Sequence, residues 1–262
     1  MHRGTSWSPL RWAVGLAISL WASAPAVAQG QWGTIRFDQW LFVQGNANDS
    51  TQWQYRPRLF LPYDFASGWT ATMRIDLPML YTNDSGPAHP GGGYSGGIGN
   101  YFIEPTVDTP EVSENLRLRA SLLLIAPSPN GAPFGNGTQY QAVPGFGATW
   151  RQPDMWRGVT FTPYVRYARG FNVQAGATAV DSLWLYPGAT IGLAPDWSLQ
   201  LYPENPITYD YNTGTWFVPL DLLLVYRLNK EVEFGLGGAI KLGSPSNPSY
   251  DHIVDARVTF NF

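Results

Sequence analysis

The last stretch of the chain, Asp251-His252-Ile253-Val254-Asp255-Ala256-Arg257-Val258-Thr259-Phe260-Asn261-Phe262, decides the fold. Apolar residues stand at the even positions from 254 to 262, and polar residues stand between them. A period of two predicts a β-strand with one apolar and one polar face. Such a strand suits a membrane barrel, with lipid outside and a polar lumen inside. An edge strand of a soluble sheet has the same alternation, so the rest of the chain must separate the two.

The first 28 residues are typical of a secretory signal peptide. Arg3 and Arg11 flank the start of an apolar stretch from Trp12 to Trp21, and Ala26-Val27-Ala28 offers small residues for cleavage. The apolar stretch is shorter than the roughly 20 residues that a membrane anchor needs. We therefore predict an exported protein with two parts: a signal peptide over 1–28 and a β-barrel over 29–262.

The composition excludes several classes of protein. The chain has no cysteine, so disulfides and thiolate metal sites are impossible. Its 16 basic and 19 acidic residues give a formal charge of −3, and nothing indicates nucleic-acid binding. Apolar runs after the signal, such as Leu122 to Ala126, are far too short for a membrane helix. A membrane location therefore requires a barrel.

Twelve segments with a period of two follow the signal, each close to the length of a tilted membrane strand. The third is the clearest, because Met73 and Ile75 alternate with Arg74 and aromatic residues stand at both ends of the apolar row. Ten or fourteen strands are alternatives, and prolines inside the segments predict bulged, late-starting or shortened strands. The segments lie near 32–44, 52–63, 69–81, 98–108, 116–124, 139–151, 158–169, 182–193, 197–209, 216–226, 231–242 and 251–262.

Charge sorting is the strongest evidence for a lipid-facing surface. Nine of the twelve arginines after the signal lie on the non-apolar side of their segments. A charge facing lipid at mid-bilayer costs about 2–4 kcal/mol, so lipid imposes this sorting. A soluble sandwich sorts charges similarly, but it needs neither aromatic ends, nor a signal, nor a terminal phenylalanine. Short and long connections also alternate, which places both chain ends on the periplasmic side.

The polar side of the segments provides the candidate site. Ten basic and ten acidic groups balance there, which favours ion-paired walls over a wide ion-selective channel. These side chains either fill a modest barrel or line a route for a small, partly aromatic solute. The predicted pore-lining residues are Arg36, Asp38, Arg56, Arg58, Arg74, Asp76, Glu104, Arg117, Arg119, Tyr164, Arg166, Trp184, Tyr186, Tyr202, Glu204, Asp221, Arg227, Asp255 and Arg257.

The glycine-rich loop, the histidines and the spacing of the acids do not indicate a catalytic or metal site. The glycine-rich loop over 82–97 is either a lid or, more in keeping with such loops, a flexible surface loop. His252 with Ser246 or Ser249 offers the elements of a lipid-modifying enzyme, but an outward His252 is better explained as an interfacial polar residue. The acids lack the spacing of metal ligands. We therefore predict no catalytic, metal or cofactor site.

Three stretches resemble a family of outer-membrane proteins associated with meta-pathway phenol degradation. They are Gly96-Gly97-Ile98-Gly99-Asn100-Tyr101, Thr215-Trp216-Phe217-Val218-Pro219-Leu220 and Ala256 to Phe262. The resemblance implies a barrel that takes up hydrophobic or aromatic molecules, with no catalytic residues. A terminal aromatic in this register also resembles the signal that barrel-assembly machinery reads.

These observations predict a transmembrane antiparallel barrel of the bacterial outer membrane. The expected function is passive passage of a small, aromatic or hydrophobic solute. The alternatives are a non-conducting structural or adhesive barrel and, less favoured, a lipid-modifying barrel enzyme. The expected partners are outer-membrane lipid, a small-molecule solute and the barrel-assembly machinery through Phe262.

Overall fold

The computed structural model describes residues 30–46, 48–86, 89–90, 93–243 and 250–262. The predicted signal peptide lies outside these residues. In the described part of the chain, no helix is long and apolar enough to cross a membrane. The strands are β1 Gly30–Trp32, β2 Arg36–Gly45, β3 Thr51–Phe65, β4 Thr70–Asp76, β5 Met79–Thr82, β6 Ser95–Ile98, β7 Tyr101–Asp108, β8 Leu116–Ala126, β9 Tyr140–Gln152, β10 Val159–Phe171, β11 Asp181–Ala194, β12 Trp197–Leu201, β13 Ile207–Asp210, β14 Thr215–Arg227, β15 Val232–Gly243 and β16 His252–Asn261.

These strands form a closed antiparallel barrel with twelve wall strands, as the sequence predicts. Four wall strands are interrupted and consist of β1 with β2, β4 with β5, β6 with β7, and β12 with β13. The barrel closes where β16 pairs with β2, from His252 opposite Gly45 to Asn261 opposite Arg36. Closure joins the first wall strand to the last, as a membrane barrel requires, while the short strands β1 and β6 pair with β3 and β5.

Prolines explain three of the irregular places, because proline has no N–H for the ladder. Pro78 lies in the gap between β4 and β5, and Pro203 and Pro206 lie between β12 and β13. The register of β14 against β15 shifts between Val218 and Pro219. The predicted strand defects are therefore confirmed at these positions. Other prolines are accommodated without a break, and Pro163 lies directly opposite Pro187.

The two ends of the barrel differ. Five connections, 66–69, 109–115, 153–158, 195–196 and 228–231, lie at the end that also carries Gly30 and Phe262, and we call this the terminus end. The connections at the opposite loop end include the longer segments 83–94 and 127–139. This alternation is the one expected for an outer-membrane barrel with periplasmic chain ends.

The outer face carries apolar side chains between two groups of aromatic rings. Exposed Ile103, Leu236 and Val254 are typical of its middle. Trp197 packs on Tyr226 near the terminus end, and Tyr81 stacks on Tyr94 near the loop end. A band of apolar residues flanked by aromatic girdles is the surface that a bilayer covers.

Candidate functional site

The inner face of the barrel brings the predicted residues together. All nineteen stand on the inward side of their wall strands or, for Tyr202 and Glu204, in the segment between β12 and β13. Arg227 lies at the terminus end of β14, where its side chain is largely exposed and donates to Glu233. Asp38, Asp76, Asp221 and Asp255 are buried in the wall layer. The predicted residues that border the central cavity are Arg36, Arg56, Arg58, Arg74, Glu104, Arg119, Tyr164, Arg166, Trp184, Tyr186, Tyr202, Glu204 and Arg257.

The cavity has a volume of about 830 Å³ and occupies the half of the lumen near the terminus end. Thr34, Thr72 and Thr162 lie along its outer part, and Arg56 and Trp184 lie at its inner end. Solvent reaches its wall, since the side chains of Arg36 and Arg119 are 40% and 44% exposed. The volume falls in the range of about 300–1,000 Å³ that is usual for small-molecule pockets.

Two apolar clusters fill much of the remaining lumen. The first lies on the inner side of β2, β14, β15 and β16 and contains Trp40, Phe42, Leu223, Val225, Ala239, Tyr250 and Ile253. The second lies on β8, β9 and β10 and contains Leu123, Ile125, Val143 and Ala168, with Phe102, Val180 and Trp184 against it. Most of these residues carry no sequence signal for the lumen, because Leu123 and Ile125 form an apolar row beside the lipid-facing one. The described lumen is thus open at the terminus end and packed towards the loop end.

The connection over 127–139 folds inward at the loop end. Phe134 is almost fully buried, and a Cβ on Gly97 would lie 2.4 Å from its ring, so the ring lies on a bare stretch of β6. Ser128 Oγ donates to the Ile98 carbonyl, and Gln139 Nε2 donates to the Thr178 carbonyl. The glycine-rich loop that the sequence singles out is partly β5 and β6, and residues 87, 88, 91 and 92 lie outside the described part. The residue that packs into the loop end is instead Phe134, which the sequence does not single out.

Ion pairs run as one chain around the inner end of the cavity. Arg58 Nε donates to Asp76 at 3.0 Å, and Arg74 NH2 donates to the same carboxylate at 2.6 Å. Arg74 NH1 also contacts Glu104 at 3.2 Å, and Arg166 donates to the other oxygen of Glu104. Charges this buried require partners, and each carboxylate here has at least two guanidinium neighbours.

Glu204 extends this chain across the lumen. Its carboxylate accepts from Arg58 NH1 at 2.5 Å and NH2 at 2.7 Å, and from Arg56 NH1 at 3.3 Å. The arginines stand on β3, whereas Glu204 follows β12, five wall strands away around the barrel. We call the segment Tyr202–Pro206 the inner strap. The ion pairs predicted from the balanced charge are present. The contact of Glu204 across the lumen is marked in the sequence only by Pro203 and Pro206.

The cavity surface itself is basic. Its lining contains seven arginines but only two acidic residues, Glu104 and Glu204, because the aspartates lie behind the arginines in the wall. The overall balance of the inner face therefore hides a local excess of positive charge where a solute would sit. Such an excess raises the local concentration of anions.

Aromatic rings support the arginines. The Arg166 guanidinium carbon is 5.0 Å from the Tyr164 ring centre and 5.4 Å from that of Tyr186. Tyr164 donates to Ser121 Oγ at 2.8 Å, and Ser121 donates to Glu104 at 2.6 Å. These contacts hold Arg166 against the wall and leave one edge of the cavity aromatic.

No catalytic or metal arrangement is found within the described ranges. They contain no group of three or more metal-ligating side chains. His252 lies exposed on the outer side of β16, its ring over Gly45, while Ser246 and Ser249 lie outside the described residues. His89 Nε2 contacts the Gly93 carbonyl at 2.6 Å in the loop.

Comparisons with known proteins identify the fold. No family model and no curated protein sequence matches the chain. An outer-membrane channel from Pseudomonas putida F1 is 13% identical over 91% of this chain and 97% of that one, with a TM-score of 0.62. The KdgM porin in complex with disordered oligogalacturonate is 10% identical over 87% and 99%, with a TM-score of 0.49. Pseudomonas putida OprB is 8% identical over the full length of both chains, with a TM-score of 0.45.

The first of these structures establishes the fold as that of an outer-membrane barrel. This fold, together with the apolar outer face and its aromatic girdles, is that of a bacterial outer-membrane protein. It agrees with the location that the sequence predicts.

Proposed function

We propose that the protein is an outer-membrane channel for the passive passage of a small, aromatic or hydrophobic solute. The observation that carries this proposal is the solvent-accessible cavity of about 830 Å³ inside the barrel, bordered by arginines and aromatic rings. A barrel that only anchors or supports has no need of a polar cavity in its lumen. A single small solute fits this volume, whereas a folded polypeptide does not.

Passage requires movement at the loop end. The inward connection over 127–139 and the two apolar clusters stand between the cavity and that end of the barrel. A loop that packs through one ring and a few hydrogen bonds opens at a lower cost than a strand of the barrel wall. We therefore place the gate in this connection and the solute site in the cavity.

The same packing supports the second candidate, a non-conducting structural or adhesive barrel. In that case the buried loop end is permanent and the external loops bind partners. The lipid-modifying enzyme is not proposed, because His252 has no catalytic neighbour in the described part of the chain. The link with phenol degradation remains a proposal that rests on the three similar sequence stretches.

Three further expectations belong to this proposal. Residues 1–28 act as a cleaved export signal, outer-membrane lipid covers the apolar face, and the barrel-assembly machinery reads Phe262. The nineteen inward residues form the solute path, with the thirteen that border the cavity in direct reach of the solute.

Single-channel recording of the detergent-folded protein in a planar bilayer tests the proposal. Discrete current steps are expected, and swelling of proteoliposomes in small-solute solutions gives a second measure. Heat-modifiable migration on a gel confirms that the protein is folded. A folded barrel that neither conducts nor causes swelling would refute the channel and support the structural candidate.

A further inference from the structure

A carboxylate of the chain itself occupies the most basic part of the cavity. Glu204 bridges Arg56 and Arg58, and the Arg58 contacts are bidentate at 2.5 and 2.7 Å. A parallel pair of N–H donors facing two oxygens is the geometry in which guanidinium groups recognise carboxylates in general. The Arg56–Arg58 pair is therefore a carboxylate site that is already filled.

The backbone segment that carries Glu204 is held by a small number of hydrogen bonds. Tyr202 has a positive φ of 52°, and the chain leaves the ladder from there to Pro206. Asp221 accepts the backbone N–H groups of Glu204 and Asn205 at 3.0 and 2.6 Å. These bonds fix the backbone of the inner strap, and the Glu204 carboxylate forms its hydrogen bonds to Arg56 and Arg58. Rotation about the side-chain bonds of Glu204 would release the arginines without breaking these backbone bonds.

Arg56 has bonding capacity that Glu204 does not use. Its contact with Glu204 is long, at 3.3 Å, and its buried Nε has no partner in the described structure. Its guanidinium carbon lies 4.8 Å from the Phe42 ring centre and 5.7 Å from that of Phe102. The chain of ion pairs joins four arginines, Arg56, Arg58, Arg74 and Arg166, to three carboxylates, Asp76, Glu104 and Glu204. The chain thus contains one guanidinium more than it has carboxylates.

We propose that Arg56 and Arg58 form the binding site for a small aromatic carboxylate, and that Glu204 is a tethered competitor that this solute displaces. This inference rests on the proposed channel and names its substrate class. The solute carboxylate replaces that of Glu204 on Arg58 and uses the free donors of Arg56. Its ring lies beside Phe102, whose ring centre is 5.7 Å from the Arg56 guanidinium carbon, and Trp184 borders the same cavity.

A competing Glu204 suits a channel, because it lowers the affinity for the solute while Arg56 and Arg58 still recognise the solute carboxylate. A tethered group acts at an effective concentration of about millimolar or higher, so a free solute binds with a correspondingly reduced affinity. Conduction requires a site that attracts the solute and also releases it. Glu204 returns to the arginines when the solute leaves, so no buried cation is left without a partner.

Isothermal titration of the detergent-folded full chain with sodium benzoate tests the inference, with benzamide as the neutral control of equal shape. We expect benzoate to bind and benzamide not to bind. Glu204→Gln keeps the size of the side chain and removes its charge, so benzoate should bind about ten-fold more tightly. Glu204→Asp keeps the charge on a shorter side chain and should lie between. Glu111→Gln, an exposed acid in a terminus-end turn, should behave as the unchanged protein.

Arg56→Gln provides the opposite change and should weaken benzoate binding by about ten-fold or more. Arg169→Gln, at the exposed end of β10 and outside the predicted solute path, is its control. Heat-modifiable migration first shows that both proteins are folded. If Glu204→Gln and the unchanged protein then bind benzoate equally, Glu204 is not a competitor. Equal binding of benzoate and benzamide would overturn the carboxylate site. Benzoate binding without conduction would refute the channel and support the carboxylate site. Conduction without benzoate binding would support the channel and refute the carboxylate site.

Discussion

Phe262 and Ile35 exchange two backbone hydrogen bonds, with Phe262 N donating to the Ile35 carbonyl at 2.8 Å and Ile35 N donating to the Phe262 carbonyl at 3.2 Å. They extend the seam between β16 and β2, where the first and last wall strands meet. The Phe262 side chain is 76% exposed and stacks on Phe260. The backbone of Phe262 therefore closes the seam, whereas its side chain is largely exposed and takes no part in those hydrogen bonds.

This separation predicts that Phe262→Ala leaves the folded barrel almost as stable as before in detergent, since both seam bonds remain. Heat-modifiability over a temperature series measures that stability. In cells, the amount of assembled barrel should fall several-fold if the side chain is read during insertion. Deletion of residue 262 removes the bonds as well and should lower the stability by about 1–2 kcal/mol. Normal assembly of Phe262→Ala in cells would contradict recognition of the side chain.

Ile75→Arg tests the outward side of β4. A guanidinium at this position faces lipid and should cost about 2–4 kcal/mol, enough to block assembly into liposomes. Thr72→Arg, an inward position of the same strand that borders the cavity, is the matched control and should assemble. Equal assembly of the two variants would show that the faces of β4 are assigned wrongly.

Gly147 is a position where the lumen leaves no room for a side chain. A Cβ there would lie 2.2 Å from Tyr164 Cδ2 and 2.4 Å from the Pro163 carbonyl oxygen. Gly147→Ala should therefore destabilise the barrel by about 1–3 kcal/mol, measured by urea unfolding of the detergent-folded protein. Gly158→Ala, at a site with open space but a positive φ of 90°, separates backbone strain from crowding. Adding Tyr164→Ala to Gly147→Ala should restore part of the lost stability, and an additive loss would argue against the ring contact.

Arg58 and Arg169 form ion pairs of very different burial. Arg58→Gln leaves Asp76 and Glu204 with one guanidinium neighbour fewer, although both carboxylates are largely buried, and should cost about 3–5 kcal/mol. Arg169 pairs with Asp181 at the exposed end of β10, so Arg169→Gln should cost no more than about 1 kcal/mol. Urea unfolding of both variants in the same detergent measures the difference. Similar losses would mean that solvent screens the ion pairs of Arg58 as strongly as that of Arg169.

Phe134→Ala tests the gate. Removing the ring from its place over Gly97 loosens the connection over 127–139, while the wall strands are unchanged. We expect a higher probability of open channels in planar bilayers. Val112→Ala, in an exposed terminus-end turn, should leave conductance unchanged. Unaltered opening in Phe134→Ala would move the gate away from this connection.

Periodicity predicts the wall strands of this protein because lipid and a polar lumen impose opposite demands on successive residues. Arg58 and Asp76 were assigned inward on this ground, and their burial against each other follows from adjacent registers. The contact of Glu204 with Arg58 was not predictable, because it depends on the width of the lumen and on a departure from the strand. Phe134 was missed for a related reason: a lone aromatic residue in a loop has no periodic neighbours to indicate its direction.

The division of the lumen into a wet half and a packed half also determines how the protein would respond to voltage. An electrical potential across the membrane falls mainly over regions of low polarisability, and water-filled space contributes little to the drop. The cavity at the terminus end therefore shares the potential of the compartment that it faces, and a charged solute reaches Arg56 without electrical work. Almost the whole field lies across the apolar clusters and the inward connection, so any voltage dependence of opening would originate there.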